Sequence, residues 1–150
     1  MFRIWNLLFE PDLIEGRKQA RTESGTEIRD LVYTNDSDKP FLDFLRNQHA
    51  NLSLVVELKN KTSVDFADVN QLCSYLGDAM GYCGVLVFRN PWSDNVRAKA
   101  IAWYNKGAPH RVVVPLCDND ILRMLDMKAI GRDPLPILRQ SYQDFVAKVQ

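Results

Sequence analysis

The stretch LVVELKNK, residues 54–61, runs from three apolar residues straight into Glu57 and Lys59. In an extended strand alternate side chains share a face, so this carboxylate and ammonium project side by side while Leu58 points the other way. Upstream, in TEIRDLVYTND, alternation puts Glu27, Arg29, Leu31 and Tyr33 on one face and Ile28, Asp30 and Val32 on the other. Asp30 thus shares a strand face with two β-branched apolar residues, an expensive place for an unpaired carboxylate. Downstream, Gln71 and Tyr75 stand four apart in a helical segment and emerge on one helix face. Asp30 and Glu57 are hard oxygen donors of the kind that Mg²⁺ takes, with water or phosphate completing its octahedron. A cation so held polarises a phosphodiester and lowers the pKa of a bound water. Lys59 is suited to orient that water or to stabilise phosphate charge, and it offsets repulsion between the two acids. A Glu-x-Lys pair alone also fits a plain same-face ion pair, worth at most about 1 kcal/mol when exposed. The combination carries the chemical reading: a charged pair after an apolar approach, a second acid just upstream, and a helix directly behind.

The elements that must position these groups follow from the pattern. Phe2 to Phe9 reads as a short helix stopped by Pro11. Residues 17–35, with Ser24-Gly25 as a turn, read as a hairpin. PFLDFLRNQH behind Pro40 reads as a helix, 52–60 as a strand, and DFADVNQLCSYLGDAMG as a helix with Val69, Leu72, Cys73 and Leu76 inward. GVLVF (84–88) is a continuous apolar run, the mark of a strand buried on both faces. A helix from Ser93 or Asp94 to Gly107, a strand over 111–116, and a helix capped by Asp118 complete this part. Gly131 to Pro136 reads as a connector, and Leu138, Tyr142, Phe145 and Val149 form one stripe of a last helix. The expected fold class is α/β, a central mixed β-sheet with an antiparallel front half and a parallel back half, flanked by helices. Residues 1–133 form the domain, and 134–150 a C-terminal helix packed on it or used for association.

Composition narrows the function classes. The 150 residues hold 46% hydrophobic and 25% charged residues, an ordinary globular profile. No apolar run approaches the roughly 18–20 residues that span a bilayer. The segment after Arg3 is too short and interrupted for a signal peptide, so a cytoplasmic protein is expected. Cys73, Cys83 and Cys117 are scattered and odd in number, without CxxC spacing or histidine partners, which suggests neither zinc nor a disulfide framework. His49 and His110 are isolated. Nineteen basic residues balance nineteen acidic ones, so there is no global attraction to phosphate. A nucleic-acid partner then requires local positive charge, and Arg17, Lys18, Arg21, Lys61 and Arg89 are the candidates, for contacts that position rather than specify.

Asp30, followed by Glu57-Leu58-Lys59, resembles the two-acid-and-lysine core of the PD-(D/E)XK nuclease superfamily, the restriction-endonuclease-like fold. QLCSY is similar to the Gln-x-x-x-Tyr element of its RecB-like branch. The likeness extends through EGRKQARTESGTEIRDLVYTND, LSLVVELKNKT and DVNQLCSYLGDAMGYCGVLVFRN, covering about residues 10–128. It implies divalent-metal-dependent (Mg²⁺ or Mn²⁺) hydrolysis of DNA phosphodiester bonds, endonucleolytic in kind, in an effector of restriction or phage defence. It further implies Asp30 and Glu57 as metal ligands, Leu58 contributing its backbone carbonyl, and Lys59 serving the nucleophilic water. Gln71 and Tyr75 complete the catalytic set. Arg29 stands where many members have proline, and the third acid that many carry on the first helix falls to Glu10, or to Glu15 in a loop, or to neither. DNA is the implied partner, with specificity supplied by a further domain, sensor or subunit, and a homodimer is open. The competing class is a catalytically silent DNA-binding or protein-interaction module on the same fold, favoured by the zero net charge.

Overall fold

The computed structural model describes residues 1–18 and 30–149, apart from the side chains of Glu15, Lys18 and Asp30. Five strands lie in sequence order, β1 (Ile14–Lys18), β2 (Asp30–Thr34), β3 (Ser53–Leu58), β4 (Cys83–Phe88) and β5 (Val112–Cys117). The first three pair antiparallel and the last three parallel, giving an α/β protein with a mixed open sheet. Six helices flank it: α1 (Phe2–Phe9), α2 (Pro40–His49), α3 (Phe66–Tyr75), α4 (Asp94–Tyr104), α5 (Asp118–Ala129) and α6 (Leu135–Val149). None of the described helices is long and apolar enough to cross a membrane.

The apolar runs mark the middle of the sheet. Leu54, Val55 and Val56 of β3 and every residue of β4 are buried, because each strand has a neighbour on both edges and cover on both faces. Helices α3 and α4 carry the two parallel crossovers, from β3 to β4 and from β4 to β5. Val69, Leu72, Cys73 and Leu76 all turn inward as their spacing predicts. Gly84 lets α3 come close: a Cβ there would stand 2.9 Å from Leu72 and 3.0 Å from Leu76. Gly84 pairs with Val55, in the row of β3 that also holds Glu57, so α3 covers that face. On the other face Tyr33 donates from its hydroxyl to Asn6 Oδ1 of α1 at 2.6 Å.

Several expectations shift at element ends. Glu15 belongs to β1 rather than to a loop, inside an irregularity of the β1–β2 pairing between Ile14 and Arg17. The N-cap of α5 is Cys117, whose backbone N–H donates to Asp120 Oδ2 at 2.9 Å, and Asp118 is already helical. α6 begins at Leu135 and takes in Pro136, since a proline in the first helical turn forfeits no helix hydrogen bond. It packs along β5 through Leu135, Ile137, Leu138, Tyr142 and Phe145, with Ser141 Oγ donating to the Pro115 carbonyl. The Ser24-Gly25 turn, Glu27, Ile28 and Arg29 lie outside the described residues.

One buried side chain joins the two halves of the sheet. Asn51, fully buried just before β3, donates to the carbonyls of Ser53 (2.9 Å) and Cys83 (2.8 Å). Its Oδ1 accepts from Cys83 N at 3.1 Å, so the amide satisfies both backbone groups at the start of β4. Asn51→Ala leaves those groups without partners, and stability falls by about 2–4 kcal/mol, read as a lower urea midpoint at unchanged slope. An unchanged midpoint would mean that water replaces the amide.

Candidate active site

The charged residues of interest gather at the C-terminal end of β3, the edge of a parallel array where open α/β sheets expose their ligand crevices. Strand pairing with β4 continues one residue past β3, through Lys59 N to the Val87 carbonyl at 2.8 Å. This keeps Lys59 extended and on the same side as Glu57. Glu57 is 0% exposed, held there by the apolar rows around it. The Lys59 ammonium, itself 13% exposed, stands 2.5 Å from Glu57 Oε1. Among the described residues this ion pair is the contact that the carboxylate makes, and neither oxygen has a further hydrogen-bond donor. Buried carboxylates are normally bonded several times over, so Glu57, with one cation and no further donor among the described residues, is under-bonded, as are Trp5 Nε1 and Asn35 Oδ1 elsewhere.

Helix α3 closes the site from one side. Gln71 Oε1 accepts from Lys59 Nζ at 2.7 Å, and Gln71 Nε2 donates to the Tyr75 hydroxyl at 3.4 Å. The helix is started by Asp65, whose carboxylate accepts from Asp68 N (3.2 Å), while Asp68 Oδ2 accepts from Asp65 N (2.8 Å). This reciprocal box satisfies two amides of the first turn. Asp68 is 5% exposed and has a second neighbour, with Oδ1 at 3.6 Å from Lys59 Nζ. Lys61 bridges Asp68 (2.6 Å) and Asp65 (3.1 Å), so its charge is balanced within the chain.

Of the residues predicted from sequence, Glu57, Lys59, Gln71 and Tyr75 are brought together. Asp30 is the register partner of Glu57 across β2 and β3, which places the two positions directly opposite each other, one strand apart. Leu58, half-buried, follows Glu57 with its backbone at the same edge. Glu10 ends α1 and is exposed. Glu15 lies between the positions opposite Thr34 and Val32, two to four residues along β2 from Asp30, roughly 7–13 Å at 3.3 Å per residue. Neither is brought to Glu57 by the pairing. A cleft of about 440 Å³ opens at the same edge, bounded by Met1, Leu58, Lys59, Asn60, Arg89 and Asp118 among others. Arg17 is exposed on β1, and Arg21 lies outside the described residues.

Asp68 is the site residue that sequence reasoning missed. Its signal was present, since Asp68, Gln71 and Tyr75 are spaced three and four apart and form one polar stripe beside the apolar one. Among the described residues no three His, Cys, Asp or Glu side chains gather as a metal site. The donors that fit a hard cation are the Glu57 oxygens, one of them now against the Lys59 ammonium, with position 30 opposite and the Leu58 carbonyl adjacent. One or two carboxylates with a carbonyl and waters is the set that Mg²⁺ accepts. The thiols offer no alternative nucleophile. Burial pushes Cys73 up to about 12 and raises Cys83 and Cys117 as well, so none is a thiolate near neutral pH.

The pair is a testable stability element. Lys59→Met leaves Glu57 buried without a cation and costs roughly 3–5 kcal/mol in urea unfolding, most of it recovered in Glu57→Leu/Lys59→Met. A single variant as stable as the parent would show that Glu57 is not held as a buried charge. Compared with family models, curated proteins and solved structures, the chain matches none of them.

Proposed function

We propose that this protein is a Mg²⁺- or Mn²⁺-dependent nuclease that hydrolyses DNA phosphodiester bonds, a divergent member of the PD-(D/E)XK superfamily. The observation that carries the reading is a fully buried carboxylate at a sheet edge, opposite a second acid, whose one cation among the described residues is a largely buried lysine and which has no further donor there. A buried carboxylate with a structural role alone gains further donors, whereas a cation-binding one keeps an oxygen open. The order of elements supports it, since an antiparallel front half delivers Asp30 and the first parallel crossover delivers Gln71 to the end of β3.

Asp30, Glu57 and the Leu58 carbonyl would hold the cation. When bound, such an ion polarises the phosphodiester and lowers the pKa of water beside it. Everything else falls to the chain. Lys59, oriented by the Gln71 carbonyl oxygen, presents its ammonium to the attacking water and to the charge that builds on the phosphate. Tyr75 steadies the Gln71 amide from the next turn. Arg89, exposed at the rim of the adjoining cleft, takes a neighbouring phosphate and sets the register of the strand. The apolar walls of β3 and β4 keep bulk water from the carboxylates, which strengthens each electrostatic contact.

Zero net charge fits a domain that grips DNA with help from a partner domain or subunit, as in restriction and defence systems. Asp30→Asn, Glu57→Gln and Lys59→Gln should each lower Mn²⁺-dependent cleavage of plasmid and single-stranded DNA at least a hundredfold. Calorimetry should show Mn²⁺ binding lost in the first two and kept in the third. A parent protein that takes up no Mn²⁺ and cuts neither DNA nor RNA sinks the reading and favours a silent binding module.

A further inference from the structure

Lys59 stands where it obstructs the very chemistry assigned to its neighbour, and this conflict leads to Asp68. The ammonium lies 2.5 Å from Glu57 Oε1, against one of the two oxygens that a divalent cation would claim. A doubly charged ion at that carboxylate repels the ammonium, which must then leave Glu57 without being stranded in a largely buried pocket. Two acceptors stand ready. Gln71 Oε1 already accepts at 2.7 Å, and Asp68 Oδ1 is only 3.6 Å away, about one ångström beyond a charge-assisted hydrogen bond. An ammonium has three protons to donate, so it keeps its bond to Gln71 while exchanging Glu57 for Asp68.

We propose that Asp68 is a positioning residue that receives the Lys59 ammonium when Glu57 engages a cation. This inference rests on the nuclease reading for its purpose, but its geometry stands on the chain alone. Asp68 is built for a fixed location. It is 5% exposed, and its Oδ2 is held by Asp65 N at 2.8 Å and by Lys61 Nζ at 2.6 Å. Those bonds anchor one oxygen and leave Oδ1 directed at Lys59. The capping box fixes the first turn of α3, and close packing at Gly84 fixes the distance of the helix from the sheet. The acceptor therefore does not drift. No bond is made or broken in the step: one ammonium moves between two carboxylates, and its proton count is unchanged.

The consequence is a charge relay in position rather than in protons. With the cation absent, Lys59 neutralises Glu57. With the cation present, it neutralises Asp68 and comes to rest against Gln71, on the α3 side of the metal position. The attacking water is then approached from a defined direction.

Glu57→Gln mimics the neutralising effect of a cation without needing one. In a crystal structure of that variant, Lys59 Nζ should lie within about 3 Å of Asp68 Oδ1. A lysine turned to solvent, or still against residue 57, overturns the proposal. A second measurement does not depend on that variant folding. Asp68→Asn keeps an oxygen to accept from Asp65 N, so the cap and the melting temperature should persist. In calorimetry Asp68→Asn should weaken Mn²⁺ binding about tenfold in the parent and less than twofold in a Lys59→Gln background. Equal losses in both backgrounds would show that Asp68 acts only as a distant charge, against the proposal. Absence of Mn²⁺ binding in the parent would count against the nuclease reading instead, and the Glu57→Gln structure would then decide the lysine transfer by itself.

Discussion

A carboxylate sits where the sheet is most apolar, and much of the local architecture answers to it. Glu57 occupies the last inward position of β3, between Asp30 on one side and Leu86 on the other. Taking a charge out of water is costly, and among the described residues its countercharge comes from two residues further along the same strand. That contact requires β3 to stay extended past its formal end, which the bond from Lys59 N to the Val87 carbonyl provides. It also requires α3 to arrive with Gln71 at the right height. The arrival is set by the Asp65–Asp68 box at the start of the helix and by the absence of a side chain at Gly84. Strand extension, helix start and helix approach thus converge on a single ion pair.

The charges around that pair lean acidic. Glu57, Asp65 and Asp68 face Lys59 and Lys61, with Asp30 one strand away. Such a cluster is poorly disposed toward phosphate by itself and well disposed toward a cation. On the proposed reading this imposes an order, because a divalent ion must compensate the acids before a phosphodiester settles there. The even balance of charge over the whole chain then ceases to be awkward. On that reading attraction for DNA would be local and conditional, residing in the metal-loaded edge and in rim cations such as Arg89, rather than spread over the surface.

Stability and site are linked by the same elements without being identical. The core of β3, β4 and β5 with α6 needs no polar group at position 57, and Asn51 ties β3 to β4 at the far end of the strands. The site end carries the buried Glu57, which has no donor besides Lys59 among the described residues. A protein that retains a buried ion pair there forgoes stability that apolar residues of the same shape would supply.

Much of this was legible from residue order. Alternation places Glu57 and Lys59 together, and helical spacing gives Gln71 with Tyr75 and the inward stripe of α3, because these relations are local and follow from the two backbone periodicities. The continuous apolar runs of β4 and β5 announce burial on both faces. What local pattern could not supply is register and azimuth. β2 and β3 are separated by α2 rather than by a tight turn, so nothing in the intervening sequence dictates that Asp30 opposes Glu57, and a slip of one residue would send one of them to the other face. Asp68 reads from sequence as a helix-start residue, and only the approach of α3 over Gly84 turns its second oxygen toward Lys59. The same holds for Glu15, whose strand membership depends on pairing with β2. Side-chain types and their local spacing are properties of the chain; which of them meet across strands and helices is settled by packing, since only the folded sheet brings distant segments within bonding range.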